Sequence, residues 1–176
     1  MGLEINYQAI PDDCPLLDIE GEELQFLGHY FSGARSEDPF GSESERMKKS
    51  HPGIETRAFC LDRDWDVLNY LLSKLGQLGQ AAIKGSLKLE RAKGVQGIPI
   101  CYSNSAQVQE MEGWIRQLDP SDLESQWDSE AMEQQGVYKF FGDEEFSPRY
   151  ANRFLGLQQF YAQLVQHNEG LIVILD

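Results

Sequence analysis

The sequence predicts a single α+β domain: a small mixed sheet that contains both the N-terminal and the C-terminal strand, packed by several amphipathic helices. Three observations carry this. An alternating apolar segment opens the chain, stretches of helical periodicity follow, and an aliphatic run, Leu171 to Leu175, closes it. The 176 residues suit one compact core, read as a single domain over 1–176.

Leu3, Ile5, Tyr7 and Ala9 alternate with polar residues, the period of a half-buried strand, until Pro11-Asp12-Asp13 breaks it. From Glu22, the positions Leu24, Leu27, Tyr30 and Phe31 recur at helical spacing up to Gly33. Ala34 to Arg57 then carries Ser, Glu, Pro and Gly with hardly an apolar residue, so 34–57 reads as a long internal loop. Within it Ser36 to Gly53 is expected to be the most mobile internal stretch. Its few apolar groups cannot offset roughly 1–2 kcal/mol of backbone entropy per ordered residue.

Leu61, Trp65, Leu68, Leu72 and Leu75 repeat every three or four residues with acids crowding the first turn, the clearest helix in the chain. After Gly76 and Gly79, the alternation of Leu87 with Leu89, and of Ile98, Ile100 and Tyr102, predicts two short strands. The second is expected at a sheet edge, because Pro99 has no N–H to donate. Bases from Lys84 to Lys93 surround the first of them, as edge protection would require. Ser103-Asn104-Ser105 caps a helix lined by Val108, Met111, Ile115 and Leu118; Asp119-Pro120, Asp128 and Ser147-Pro148 are three further start signals. The last opens a long stripe of Tyr150, Phe154, Leu157, Tyr161 and Leu164. The terminal aliphatic run is apolar on both faces, so its strand is expected to have a layer over each.

The three cysteines, Cys14, Cys60 and Cys101, form no CxxC pair and read as buried thiols of a reducing, cytoplasmic compartment. Met1 to Tyr7 has neither a basic nor an apolar leader region, and Leu171 to Leu175 is too short to cross a bilayer. Asn6 stands where a myristoylation signal wants Ser or Thr.

Charge is the strongest compositional fact: 29 acids against 15 bases give a formal net charge of −14. That field repels phosphate backbones and anionic membranes and favours a basic protein as partner, although acids also serve simply to keep a protein soluble. Between Asp119 and Glu145 nine acids face one base, Lys139, for a net −8. Trp127, Tyr138, Phe140 and Phe141 are interleaved with them, ahead of Asp143, Glu144 and Glu145. Acids and aromatic anchors together form a candidate partner-binding patch, provided at least two of the aromatics are exposed. If they face the core, the acids are a solvated face.

No nucleotide-binding glycine motif, zinc-protease motif, nucleophile elbow or calcium loop is present, and His29, His51 and His167 lie at no metal-ligand spacing. No cofactor, metal or catalytic residue is therefore expected. Trp65, flanked by Asp62, Asp64 and Asp66, sits on the apolar stripe, which favours core packing.

Several short motifs run in one order along almost the whole chain: Met1-Gly2 with a tyrosine in the first strand; Leu61-Asp62-x-x-Trp65-x-x-Leu68-x-Tyr70-Leu71-Leu72; Asp128-x-Glu130-Ala131-Met132 before Gly136-Val137-Tyr138; and Phe160-Tyr161. Together they resemble the YfbM-like family of bacterial proteins, a domain of unknown function. The resemblance implies a small α+β fold in a bacterial cytoplasm and no particular activity. Its pattern often sets histidines directly after the tryptophan and three residues later, where this chain has Asp66 and Asn69. Any metal or proton chemistry of that pair would be lost here, with Asp66 left as a weak cation ligand. The family's glycine-rich stretch is also altered, to Gly94-Val95-Gln96-Gly97-Ile98-Pro99-Ile100.

Two functional readings follow. One is a non-enzymatic binding protein, inhibitor-like or immunity-like, that recognises a basic protein. The other is an enzyme or small-ligand binder with a pocket near Trp65 and the 34–57 loop, using Asp62, Trp65, Asp66 and Asn69. A pocket with convergent polar groups would favour the second and a flat acidic face the first.

Overall fold

The computed structural model describes residues 3–14, 17, 48–93, 99–138, 140 and 145–175. The expected helix from Glu22 to Gly33 and most of the 34–57 segment, including 36–47, lie outside these residues. The described elements are β1 (Ile5–Ile10), β2 (Ala58–Asp62), α1 (Trp65–Leu75), α2 (Leu78–Lys84), β3 (Leu87–Lys93), β4 (Pro99–Ser103), α3 (Ser105–Ile115), α4 (Pro120–Glu124), α5 (Ser129–Gln134), α6 (Pro148–His167) and β5 (Gly170–Leu175).

The five strands form one sheet in the order β2-β1-β5-β4-β3. β1 and β5 are adjacent, paired from Ile5↔Leu175 to Ile10↔Gly170, so both terminal strands share the sheet. Every pairing is antiparallel, which corrects the expectation of a mixed sheet. The aliphatic run of β5 takes the central position, and Leu171, Ile172, Val173 and Ile174 are all buried. Each contributes about 1.5–3 kcal/mol of burial free energy. Because consecutive strand residues point to opposite faces, both faces of β5 are covered.

β4 is an interior strand between β5 and β3, which corrects its placement at an edge; β3 is the edge. Proline is accommodated because Pro99 is the first residue of β4. The bases around β3 thus border a true edge. α2 was hidden from the sequence by Gly76 and Gly79, which read as breakers. Gly79 instead allows close packing, since a Cβ there would lie 2.1 Å from the Leu72 carbonyl oxygen of α1. Two buried phenols anchor α2 to the core: Tyr7 Oη donates to the Ile83 carbonyl at 2.8 Å and Tyr161 Oη to that of Ala82 at 2.9 Å. Burial pushes both phenol pKa values up, so each remains a donor.

The start signals act as the sequence predicts. Asn104 Oδ1 accepts the Gln107 amide at 2.9 Å while Gln107 Oε1 accepts the Asn104 amide, a reciprocal cap on α3. Asp119 caps α4 and Asp128 caps α5. Asn104→Ala is expected to lower stability by about 1 kcal/mol, read as a shifted urea midpoint with an unchanged slope.

The described end of the 34–57 segment is not a plain loop. It carries a helical turn at 48–50 and a 3-10 turn at Ile54–Thr56. Arg57 is buried, and its guanidinium makes two bonds to the fully buried Glu169, Nε to Oε2 at 2.7 Å and a second nitrogen to Oε1 at 2.5 Å. A third bond reaches the Pro52 carbonyl at 3.0 Å. Gln8 of β1 donates to the Ile54 carbonyl at 2.9 Å. These contacts clasp the segment to the turn between α6 and β5.

Candidate functional site: a polar cleft along the first described helix

α1 buries Trp65, Val67, Leu68, Tyr70, Leu71 and Leu72. Asp66, Asn69, Ser73 and Lys74, spaced by three, four and one, fall on its polar side, and together with Tyr70 they form one wall of a cleft. Gln135 and Val137, which follow α5, close it from the other side. The cavity is about 280 Å³, enough for a small molecule. Gly136, between the two closing residues, has φ 66°, a left-handed turn that glycine adopts without strain.

Asp66 is held on two sides. Its Oδ2 accepts the Tyr138 amide at 2.9 Å, and its Oδ1 accepts Asn69 Nδ2 at 3.4 Å, with the Lys84 ammonium 4.0 Å away. Since the Asn69 nitrogen faces the carboxylate, its oxygen must point away; the reversed amide would set oxygen against oxygen. Asn69 Oδ1 is buried with no hydrogen-bond partner, and so is the hydroxyl of Tyr70. Each such atom costs about 1–3 kcal/mol. The Lys74 ammonium lies 4.7 Å from the Tyr70 ring centroid. The neighbouring Tyr70 hydroxyl raises the Lys74 pKa, although the contact falls outside hydrogen-bond geometry.

Of the residues singled out from the sequence as a ligand site, Asp66 and Asn69 meet in this cleft. Trp65 does not line it. The indole is buried, stacks on Tyr138 at 6.0 Å, and donates to the Leu3 carbonyl at 3.2 Å. Asp62 belongs to a different cluster at the end of β2, with φ 55° and its carboxylate 3.4 Å from Arg153. Arg153 and Arg149 also flank the buried Asp64. Among the described residues, none that lines the cleft comes from the 34–57 segment. Tyr70, Ser73, Lys74, Gln135 and Val137 were missed as site residues. The polar stripe on α1 was visible as the complement of its apolar one, but nothing in the sequence links it to 135–137.

The expected partner patch is altered by packing. Trp127, Tyr138 and Phe140 are each half-buried rather than exposed. Trp127 lies 5.7 Å from Phe140, 5.8 Å from Phe146 and 5.3 Å from Tyr150, and all three rings pack against the core or belong to it. Tyr138 Oη accepts the Leu3 amide at 2.8 Å. Phe141, Asp143 and Glu144 lie outside the described residues. Glu145 is exposed, as are Asp119, Glu124, Asp128, Glu130 and Glu133.

Among the described residues no His, Cys, Asp or Glu cluster could hold a metal, and no helix is long and apolar enough to cross a membrane. Cys14 is buried while Cys60 and Cys101 are half-buried, and all three are thiols outside any disulfide. Desolvation pushes the Cys60 and Cys101 pKa values up, away from the reactive thiolate.

The fold and cleft define a single-domain α+β protein whose antiparallel sheet has a central strand buried on both faces, with a polar cleft along α1. The family model described as Domain of unknown function (DUF1877) matches residues 1–174, and the chain belongs to that family. The solved structure of YfbM from Escherichia coli, a protein of unknown function, is similar with a TM-score of 0.59 over 98% of this chain and 99% of that one. At 14% identity this likeness establishes the fold alone. Comparison with functionally curated proteins finds no match.

Proposed function

We propose that this protein is a binding domain that takes a small polar ligand in the cleft along α1. The observation that carries the reading is the pair of buried oxygens, Asn69 Oδ1 and Tyr70 Oη, left without partners in the wall of one cavity. Folded proteins rarely leave such groups unpaired unless a ligand or ordered water completes them. The cleft offers recognition groups, an acceptor, a hydroxyl, an ammonium and a carboxylate. Its carboxylate is already engaged by Tyr138 and Asn69, an arrangement suited to orienting a ligand rather than to abstracting a proton.

A screen of small polar fragments against the isotope-labelled protein tests this. Saturable shifts of the amides of 66–74 and 135–137 together are expected. Shifts confined to other regions would overturn the reading. Tyr70→Phe is expected to leave stability unchanged or raise it, because it removes an unpaired buried hydroxyl, while weakening fragment binding. If that hydroxyl were bonded within the protein, the substitution would instead cost about 1 kcal/mol.

A second reading, recognition of a basic protein, rests on the exposed acids of α4, α5 and Glu145. Its expected signature is an association that weakens steeply with salt and with replacement of Glu124, Glu130 and Glu133 by glutamine.

A further inference from the structure

We propose that the cleft's ligand is a small zwitterion, its ammonium at the Asp66–Asn69 end and its carboxylate at the Tyr70–Lys74 end. This rests on the cleft being a ligand site and adds the chemical class.

The two ends of the cleft have opposite hydrogen-bonding needs. At one end the acceptors are the Asp66 carboxylate, with lone pairs beyond those used by Tyr138 and Asn69, and the unpaired Asn69 Oδ1, with the Lys84 ammonium 4.0 Å from Asp66 as a neighbouring cation. An N–H donor suits both. At the other end are the Lys74 ammonium, a donor only, and the Tyr70 hydroxyl, which is free to donate. An anionic acceptor suits both. Side chains on a helix lean toward its N-terminus, so Lys74 runs back to the level of Tyr70. Along the axis Asp66 and Tyr70 are about one helical turn apart, about 6 Å. Both oxygens are shielded from solvent. Lys74 is exposed and stands beside the Tyr70 ring, 4.7 Å from its centroid.

Neighbouring charges fit the same polarity. Lys84 stands beside Asp66, 4.0 Å from its Oδ1. Asp128 lies within Coulombic reach of Lys74, but its Oδ1 is engaged by the Ala131 amide at 2.9 Å. A net anion would have to enter against the −14 field, and a net cation would meet Lys74. A neutral zwitterion does neither.

The test uses glycine, 4-aminobutanoate and glycylglycine, three spacings of the two charges, each beside its N-acetylated and its carboxamide form, at constant ionic strength. Binding is read from the amide resonances of Asn69, Tyr70, Lys74 and Val137. At least one zwitterion is expected to bind about tenfold more tightly than both of its blocked forms, the loss of one charge-assisted hydrogen bond. Asp66→Asn, which keeps an oxygen for the Tyr138 amide, and Lys74→Gln, an exposed position, should each weaken that zwitterion about tenfold with the thermal midpoint little changed. A blocked form that binds as well as its parent overturns the zwitterion while leaving the cleft a ligand site. If no probe shifts these amides, the proposal fails, and the fragment screen decides separately whether the cleft binds anything.

Discussion

Replacing Glu169 with alanine is expected to destabilise the protein by about 3–5 kcal/mol, the range for removing one partner of a buried ion pair. Glu169 is fully buried and receives two guanidinium bonds from Arg57, itself 8% exposed. The substitution leaves a guanidinium stranded in a buried site, with the Pro52 carbonyl at 3.0 Å as its remaining acceptor among the described residues. Most of the loss is thus the cost of the orphaned charge and not the net worth of the pair. It follows that Arg57→Met combined with Glu169→Leu should recover much of the stability lost by Glu169→Ala, since both charges are removed together. Urea unfolding of the single and double variants checks this. A loss below about 1 kcal/mol for Glu169→Ala would mean that the pair behaves as an exposed one. His51, whose Nδ1 lies 3.7 Å from Glu169 Oε1, and the turn at Ile54–Thr56 should loosen with it. Faster amide exchange across 51–57 is the accompanying readout.

Gly79→Ala is the second large effect, expected to cost about 1–3 kcal/mol or more by overpacking. The new methyl would sit 2.1 Å from the Leu72 carbonyl oxygen and 2.6 Å from the Ser73 nitrogen, backbone atoms that cannot rotate aside. α1 and α2 must separate. Because Ser73 and Lys74 belong to the last turn of α1, that displacement also disturbs the cleft, and weaker ligand binding should accompany the lower stability. Gly113→Ala is the control. A Cβ there meets nothing within 4 Å, and the position is inside α3, so it should gain about 0.5–1 kcal/mol from helix propensity alone. Equal effects at the two glycines would refute the packing explanation.

The elements that local chemistry controls were legible in the sequence. Alternation marked β1, the apolar stripe marked α1, and Asn104, Asp119 and Asp128 announced the helices they cap. Apolarity on both faces of the last strand foretold its place at the centre of the sheet. Each of these signals lies within a few residues of the structure it specifies. α2 was missed for the opposite reason: Gly79 answers to a backbone on another helix, and a glycine required by a neighbour looks the same in sequence as one that ends a helix.

The site divides along the same line. Asp66 and Asn69 were singled out together through the family resemblance, as the residues at its histidine positions, but the orphaned oxygens, and the wall of Gln135 and Val137 facing α1, exist only once chain segments some sixty residues apart are folded against each other. Trp127, Tyr138 and Phe140 show the converse. Their spacing among acids suggested exposed anchors, yet aromatic rings are driven from water by whatever surface the fold brings near, and here that surface is Phe146, Tyr150 and Trp65. By itself the sequence determined the charge, the helix starts, the central strand and the family resemblance. The tertiary structure decided which polar atoms go unpaired and which aromatics are covered, because both depend on long-range packing that residue spacing does not encode.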